Sequence, residues 1–235
     1  KKFNEMLGRM KVLDDSRQEF VSNVSHELKT PLTSMKVLAD SLNSMEDAPI
    51  ELYKEFMGDI GNEIDRETKI INDLLSLVKM DKSAADLNVT NMNINELLEQ
   101  ILKRLNPIAE KQNVELVLES FRPVSADVDE VKITLAFTNL IENAIKYTPC
   151  GSVTLKAMEY ELFTRIDVTD TGIGIEESEQ PKIFARFYRS ETVCEDEGVG
   201  IGLYLAREII SGEGGYIKLI SQKGKGSTFS VFLPR

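Results

Sequence analysis

The chain has 235 residues, 42% of them hydrophobic and 29% charged, which is an ordinary composition for a globular protein of one or two domains. Its net charge of −11 argues against a nucleic-acid partner, because affinity for nucleic acids comes mainly from Lys and Arg side chains that meet phosphates. One histidine and two cysteines far apart in sequence, Cys150 and Cys194, exclude most zinc sites and argue against a disulfide framework.

Residues 1–81 have a helical pattern throughout. Apolar residues recur at spacings of three, four and seven in two runs, namely Phe20, Val24, Leu28, Met35, Leu38, Leu42 and Met45, then Phe56, Ile60, Ile64, Ile71, Leu75 and Val78. The stretch "MEDAPI" between the runs predicts a turn. Two long helices with a short loop form an antiparallel hairpin that cannot bury both apolar stripes alone, so we expect a homodimer built as a four-helix bundle.

The chain opens within this helical pattern, at "KKFNEMLGRM". No apolar run approaches the roughly 18 residues needed to cross a bilayer. The sequence therefore predicts no membrane segment in this chain and a cytoplasmic location. It leaves open a longer protein that is anchored in a membrane.

Residues 82–86, in "DKSAAD", interrupt the apolar period and predict a linker to a second domain over residues 87–235. Strands are predicted at "LNVTNMNI", "VELVLE", "SVTLKAM", "LFTRIDVTD", "GYIKLISQ" and "STFSVFLP", and helices at "NELLEQILKRLNPIAEKQ", "DEVKITLAFTNLIENAIKYT" and "IGLYLAREIIS". This order predicts an α+β sandwich in which helices pack on one face of a mixed sheet.

The only histidine, His26, stands in "FVSNVSHELKTPL" on the first predicted helix. Pro31 lacks the N–H that would bond the carbonyl of Glu27, so we expect the helix to be loosened or kinked beside His26. A lone histidine on a helix is more often structural than catalytic, and the motif by itself leaves both roles open.

The predicted helix over "NLIENAIKYT" carries polar residues in register. Asn139, Asn143 and Lys146 follow one another at i, i+4 and i+7 and therefore share one face. A solvated polar stripe is the simpler interpretation. Asparagine is a poor helix former, however, so two of them in register need a reason.

The stretch "RIDVTDTGIGI" places Asp170 at the end of a predicted strand, followed by Gly172 and Gly174. A glycine-containing turn after a strand would explain it. The alternative is a ligand site, because glycines let the backbone approach a flat ligand and the carboxylate can accept a hydrogen bond from an amino group.

The stretch "EGVGIGL" places Gly198, Gly200 and Gly202 directly before a predicted helix. Backbone N–H groups at such a helix start can bind an anion, although a flexible hinge would have the same composition. The polar stretch "SETVCEDE" before it has no periodicity and predicts a mobile lid.

In chain order the motifs are H-E-x-x-T-P, N-x-x-x-N-x-x-K-Y, D-x-G-x-G, F-x-R-F-Y-R, G-x-G-x-G-L and G-K-G-S-T-F. This series, over roughly residues 20–234, resembles the dimeric sensor histidine kinases of bacterial two-component systems. The first half resembles their dimerisation and histidine-phosphotransfer domain, and the second their Bergerat-type ATP-binding domain. The resemblance implies a protein-histidine kinase that autophosphorylates His26 and passes the phosphoryl group to an aspartate on the receiver domain of a response regulator. It also implies phosphatase activity toward that regulator.

By this resemblance His26 is the phosphoacceptor, and Glu27 orients its ring and takes up a proton. Thr30 positions a water for dephosphorylation of the regulator. Arg189, in "FARFYR", stabilises charge on the transferring γ-phosphate.

The resemblance further implies ATP as the nucleotide and Mg²⁺ as the metal. The implied nucleotide-binding residues are Asn139, Asn143, Lys146, Tyr147, Asp170, Gly172, Gly174, Gly198, Gly200 and Gly202. Asn139 and Asn143 would also hold the metal, and the acidic chain independently favours a divalent cation beside a phosphorylated ligand. The chain departs from many members at Glu213, where they have histidine, and we expect no catalytic consequence.

Two other functions fit the sequence less well. A signalling scaffold that binds ATP without transferring phosphate is disfavoured because His26, Glu27, Asn143 and Asp170 are all retained. An ATPase that drives a conformational change, as gyrase does, has no place for a helical hairpin with H-E-x-x-T-P.

Overall fold

The structure is a computed structural model that describes residues 2–44, 49–82, 88–120, 122–190 and 200–235. Three predicted features lie wholly or largely outside the described residues: the turn between the first two helices, the linker, and the polar stretch after Ser190 together with Gly198. The chain divides into two compact units, with the boundary between Ser76 and Leu77.

The first unit consists of two helices, α1 (Lys2–Asn43) and α2 (Ile50–Lys82), which confirms the prediction of a helical N-terminal region. α1 continues through Pro31. Four apolar side chains of α2 that are spaced seven residues apart remain largely exposed, namely Ile50, Met57, Ile64 and Ile71. Among the described helices of the chain, none is long and apolar enough to span a membrane.

The second unit alternates strands and helices, as predicted. Its elements are β1 (Val89–Asn93), α3 (Ile94–Lys111), β2 (Val114–Glu119), β3 (Ser125–Asp129), α4 (Glu130–Lys146), β4 (Gly151–Glu159), β5 (Phe163–Asp170), α5 (Gly202–Gly212), β6 (Tyr216–Gln222) and β7 (Gly226–Pro234). Five strands form one sheet in the order β2-β4-β5-β7-β6. The β2–β4 pair is parallel and the other pairs are antiparallel, which confirms the prediction of a mixed sheet.

Strand β3 was not predicted from the sequence. It pairs with β1 in a separate two-stranded antiparallel ribbon. It ends at Asp129, whose carboxylate accepts hydrogen bonds from the N–H groups of Val131 and Lys132 at 3.1 and 3.2 Å and so caps α4. A strand that runs directly into a helix cap leaves no turn residues to mark its end.

The core lies between one face of the sheet and helices α3, α4 and α5. Alternate residues of β7 (Phe229, Val231 and Leu233) are buried on this face, as strand periodicity requires. Phe137 and Leu140 of α4 are fully enclosed. The packing brings the last turn of α4 close to the end of β5 and the start of α5, and this junction holds the candidate site.

Candidate functional site

A cavity of about 300 Å³ lies at this junction, and the hairpin between β6 and β7 forms part of its wall. Five residues predicted from three separate motifs line it, namely Asn143, Tyr147, Asp170, Gly174 and Arg189. Apolar side chains that were not predicted complete it, among them Ile173, Ile183, Leu203 and Phe229. A mostly apolar cavity with a few polar groups directed into it is typical of a small-molecule site.

Asp170, at the end of β5, is 6% exposed. Its Oδ1 accepts hydrogen bonds from the N–H groups of Gly172 at 2.9 Å and Ser227 at 3.1 Å. Burial raises the pKa of Asp170, and these two hydrogen bonds oppose the increase. Because both bonds fall on Oδ1, Oδ2 is the atom that can accept a hydrogen bond from a ligand in the cavity.

Gly172 lets the loop after β5 close against the end of α4. A Cβ at this position would lie 2.1 Å from the carbonyl oxygen of Tyr147, so a larger residue would push the loop away. The same carbonyl accepts a hydrogen bond from the N–H of Ile173 at 3.1 Å. The loop and the helix end therefore form one continuous wall of the cavity.

Asn139, one turn before Asn143 on α4, is 8% exposed. Its Nδ2 has no hydrogen-bond partner among the described residues. Beside it α5 begins at Gly202, where a Cβ would lie 3.3 Å from Oδ1 of Asn139, and no side chain caps the helix. The free amide donor and the first N–H groups of α5 together make a place for an anion.

Two cationic side chains lie beside Tyr147 or on the cavity wall. The Nζ of Lys146 lies 5.4 Å from the ring centroid of Tyr147, and the exposed Arg189 lies on the cavity wall. Burial raises the pKa of the Tyr147 phenol, whereas the guanidinium of Arg189 lowers it. Both residues line the same cavity.

His26 and Thr30 are exposed on α1 in the helical unit. The hydroxyl of Thr30 donates to the backbone carbonyl of His26 at 3.2 Å, so these residues lie one turn apart on the same face. Glu27 belongs to α1, but its side chain lies outside the described part of the structure. Gly200 is described and Gly198 is not.

Four residues on the cavity wall were not identified from the sequence. Ser227 binds Asp170 through its backbone N–H, so its side chain gave no indication of this role. Only its place in the motif "GKGSTF" could have pointed to it. Glu176 and Lys223 form an ion pair of 3.0 Å on the cavity wall. Glu179 accepts hydrogen bonds from residues on both sides of Arg189, and no spacing in "EESEQ" distinguishes it from its acidic neighbours.

Two family models match the chain in the predicted order. The first, "His Kinase A (phospho-acceptor) domain", matches residues 16–83 and contains His26. The second, "Histidine kinase-, DNA gyrase B-, and HSP90-like ATPase", matches residues 128–235 and contains every predicted nucleotide-binding residue.

Similarity to known proteins extends over nearly the whole chain. Sensor histidine kinase WalK of Bacillus subtilis strain 168 is 35% identical over 228 residues, which cover 94% of this chain and 37% of WalK. The chain thus spans about a third of the length of the first curated relatives that it matches. The crystal structure of histidine kinase ThkA in complex with response regulator protein TrrA has the same fold, with a TM-score of 0.74 and 24% identity over 92% of this chain and 61% of that chain.

A second solved structure, full-length ShkA in complex with AMPPNP, has a TM-score of 0.70 and 25% identity, and covers 92% of this chain and 45% of that chain. Two family models in this order, with the similarity to WalK throughout, show that the chain belongs to the sensor histidine kinases and comprises their phosphoacceptor and ATP-binding core.

Proposed function

We propose that this chain is an ATP-dependent protein-histidine kinase that phosphorylates His26. The observation that carries the proposal is the convergence of Asn143, Tyr147, Asp170 and Arg189 on one cavity. These side chains offer acceptor, stacking and cationic groups at the positions that a nucleoside triphosphate needs. The ATPase family model over this unit and the AMPPNP bound to ShkA support the same ligand.

The adenine is proposed to lie against the loop after β5. Its amino group would donate to Oδ2 of Asp170. Gly172 and Gly174 would let the loop pack closely enough against Tyr147 and Gln222 to form the wall on which the base lies. The triphosphate would extend toward the start of α5. There Gly198, Gly200 and Gly202 would hold it through backbone N–H groups, together with Lys146.

The residues present fit Mg²⁺ only when the nucleotide supplies further ligands. Asn139 and Asn143 present amide groups one turn apart, and amide oxygens are ligands of hard cations. Among the described residues, no cluster of three acidic, histidine or cysteine side chains could hold a metal ion without ligands from the nucleotide. The unpartnered Nδ2 of Asn139 suits a phosphate oxygen. When bound, Mg²⁺ would neutralise charge on the phosphate oxygens.

In the proposed reaction a ring nitrogen of His26 attacks the γ-phosphorus of ATP. The P–N bond forms as the P–O bond to ADP breaks, and ADP leaves with the bonding electron pair. Glu27 orients the ring and takes up its proton, and Arg189 stabilises the charge on the transferring group. The exposure of His26 fits a residue that must meet two different partners in turn.

The second partner is proposed to be the receiver domain of a response regulator. Its aspartate would take the phosphoryl group from His26, and Thr30 would position a water for the reverse, phosphatase, reaction. The complex of ThkA with TrrA supports this class of partner. A cytoplasmic location goes with this proposal, because the reaction requires ATP.

The proposed assembly is a homodimer. Residues 1–81 would form the helical hairpin of a four-helix bundle, residues 82–86 a linker, and residues 87–235 the ATP-binding domain. The exposed row on α2 from Ile50 to Ile71 supports it, since these apolar side chains need a protein surface to cover them.

Incubation with γ-labelled ATP and Mg²⁺ tests the proposal. The chain should acquire label that is lost in acid and retained in base, as expected for phosphohistidine, and His26→Gln should abolish it. Circular dichroism of the variant would confirm that it folds. Acid-stable label, or label that persists in His26→Gln, would contradict the assignment.

The same labelled preparation tests Thr30 when a receiver domain is added. Thr30→Ala should leave labelling of His26 within about twofold and slow the loss of phosphate from the receiver, since its hydroxyl is proposed to act only on the water. Equal loss of both activities would show that Thr30 supports the helix and not the hydrolysis.

A further inference from the structure

We propose that Glu179 is a positioning residue that fixes Arg189 at the mouth of the cavity. The inference rests on the proposed function, which places the γ-phosphate of ATP beside Arg189. Glu179 belongs to none of the motifs identified in the sequence, and its own side chain is not required to touch the nucleotide.

One carboxylate oxygen of Glu179 holds the chain on both sides of Arg189. Its Oε1 accepts hydrogen bonds from the phenol of Tyr188 at 3.2 Å and from the hydroxyl of Ser190 at 2.6 Å. All four residues line the cavity. Because the two donors are the immediate neighbours of Arg189, these bonds restrain the backbone on both sides of it.

Glu179 is itself held in a turn. Its N–H donates to the carbonyl of Glu176 at 2.9 Å, and its own carbonyl accepts from the N–H groups of Lys182 and Ile183 at 2.8 and 3.2 Å. Ile183 is buried at the edge of the core. The acceptor is therefore fixed to the core, and the segment around Arg189 is fixed to the acceptor.

The segment before Arg189 needs such an attachment because its backbone is strained. Phe187 has a φ of 61°, a left-handed conformation that bulky residues rarely adopt. Gly200 passes directly beside this turn, since a Cβ there would lie 2.5 Å from the carbonyl oxygen of Tyr188. Strained backbone of this kind persists only where surrounding contacts hold it in place.

The attachment matters because Arg189 is exposed and carries a long side chain. A free arginine on a surface samples many rotamers, and each restraint on its backbone removes some of them. Arg189 and Tyr147 line the same cavity, and the guanidinium of Arg189 lowers the pKa of the Tyr147 phenol. Fixing the backbone on both sides thus prepares the cation for charge that develops on the phosphate.

A double-mutant cycle in this chain tests the inference. It combines Glu179→Ala, Arg189→Ala and the double variant, with Glu179→Gln as the conservative substitution and Glu177→Ala as the matched control in the same turn. Two quantities are measured: the rate of His26 labelling at saturating ATP, and the ratio of the affinities for AMPPNP and ADP, by displacement of a fluorescent ADP analogue.

Glu179→Ala and Arg189→Ala should each lower the labelling rate by about tenfold to a hundredfold, because loss of positioning has effects of this size. Both should also lower the AMPPNP-to-ADP ratio. The double variant should be no worse than Arg189→Ala alone, since Glu179 acts through Arg189. Glu179→Gln should retain most of both quantities, because its amide oxygen can accept the same two O–H groups, and Glu177→Ala should match the unaltered chain.

Additive losses in the double variant, or unaltered behaviour of Glu179→Ala, would overturn the inference. If Glu179→Ala fails to fold, Ser190→Ala takes its place in the cycle, because it removes one of the two hydrogen bonds and leaves the carboxylate. The affinity ratio requires no phosphoryl transfer. Absence of label on His26 in the unaltered chain would therefore refute the proposed function and still leave the ratio to decide the role of Glu179.

Discussion

The first, helical unit and the second unit, called the ATP-binding unit because the ATPase family model matches it, bury their apolar side chains to very different extents. In the ATP-binding unit, Phe137, Leu140 and Val231 are fully enclosed. In the helical unit, Met57 and Ile64 of α2 are 59% and 50% exposed. A folded domain encloses its large apolar residues, so the helical unit has an apolar surface that its own helices do not cover.

Buried polar atoms without a partner differ between the units as well. Among the described residues, the helical unit has three of them, on Glu63, Arg66 and Glu67 of α2, and the ATP-binding unit has Nδ2 of Asn139. In the first unit these atoms lie on the same helix as the exposed apolar row. In the second the single atom lies beside the anion site at the start of α5. The exposed apolar row fits the proposed homodimer, and the free amide donor of Asn139 fits the proposed phosphate ligand.

Substitution in the exposed row should have the largest effect. Ile64→Glu places a charge in the proposed dimer interface, and each copy loses about 1.5–3 kcal/mol of burial, so the dimer dissociation constant should rise by roughly a hundredfold or more. Sedimentation velocity measures the change. Nucleotide binding should persist, because the ATP-binding unit encloses its own core.

The matched control for this substitution is Asn62→Glu, which introduces the same residue at an exposed position two residues earlier. It should leave the dimer intact. A dimer that survives Ile64→Glu would place the interface elsewhere on the helices. The exposed apolar row would then not be the surface that a second copy covers.

Asp170→Asn should separate ligand binding from folding in the other unit. The amide would keep an oxygen for the N–H groups of Gly172 and Ser227 but turn its NH₂ toward the adenine amino group. Affinity for AMPPNP should fall by about tenfold to a hundredfold, as expected for a lost hydrogen bond to a charged group. The melting temperature should not fall, because burial raises the pKa of Asp170 and the ionised carboxylate is therefore unfavourable in the folded state.

Isothermal titration calorimetry and thermal unfolding measure these two quantities. Asp127→Asn serves as the control, since Asp127 is exposed and accepts a hydrogen bond from Asn91 that an amide oxygen can also accept. A large fall in melting temperature for Asp170→Asn would show that Asp170 is a structural residue and not a ligand-binding one.

The fold was predictable where a short stretch of sequence carries the pattern of its own helix or strand. Helices α3, α4 and α5 and the five strands of the main sheet follow from apolar periodicity. Strand β3 does not, because its pairing with β1 joins Val89 to Asp129 across 40 residues and no local pattern records it. Its C-terminal residue is also the cap of the next helix, which hides the boundary.

The candidate site was predictable where residue type carries the chemistry. Asn143, Asp170 and Arg189 come from motifs, and the structure places all three on one cavity. Ser227 contributes a backbone N–H, which any residue other than proline supplies, so its side chain gives no signal. Glu179 acts on its neighbours' side chains through space, and sequence spacing cannot distinguish such a contact from ordinary surface acidity.

The ATP-binding unit buries a glutamate, Glu213, beside a second carboxylate. Glu213, at the end of α5, is 7% exposed, and both its carboxylate oxygens lie 3.4 Å from the N–H of Asp129. The carboxylate of Asp129 is also buried and caps α4. Two buried carboxylates therefore lie close together at the end of the unit where α4 begins and α5 ends.

This pair predicts the smallest of the three effects, a dependence of stability on pH. Burial raises the pKa of Glu213 above its ordinary value of 4.5. The Asp129 N–H lowers it, the Asp129 carboxylate raises it further, and Lys132 opposes that increase. Between pH 4.5 and the raised value, the folded protein keeps a proton that the unfolded chain has released. Glu213 therefore contributes stability that is fully present below pH 4.5 and is lost as the pH rises through its folded pKa.

Glu213→Gln should remove this dependence, because its amide can donate to the Asp129 carboxylate at every pH. The melting temperature of the variant minus that of the unaltered chain should increase as the pH rises from 5 to 8, and the other titrations of the chain cancel in this difference. Glu208→Gln, on the same helix at a side chain that is 42% exposed, serves as the control and should give a smaller change in this difference. A flat difference for Glu213→Gln would mean that the carboxylate is ionised in the folded state throughout this range, and that the N–H of Asp129 offsets its burial.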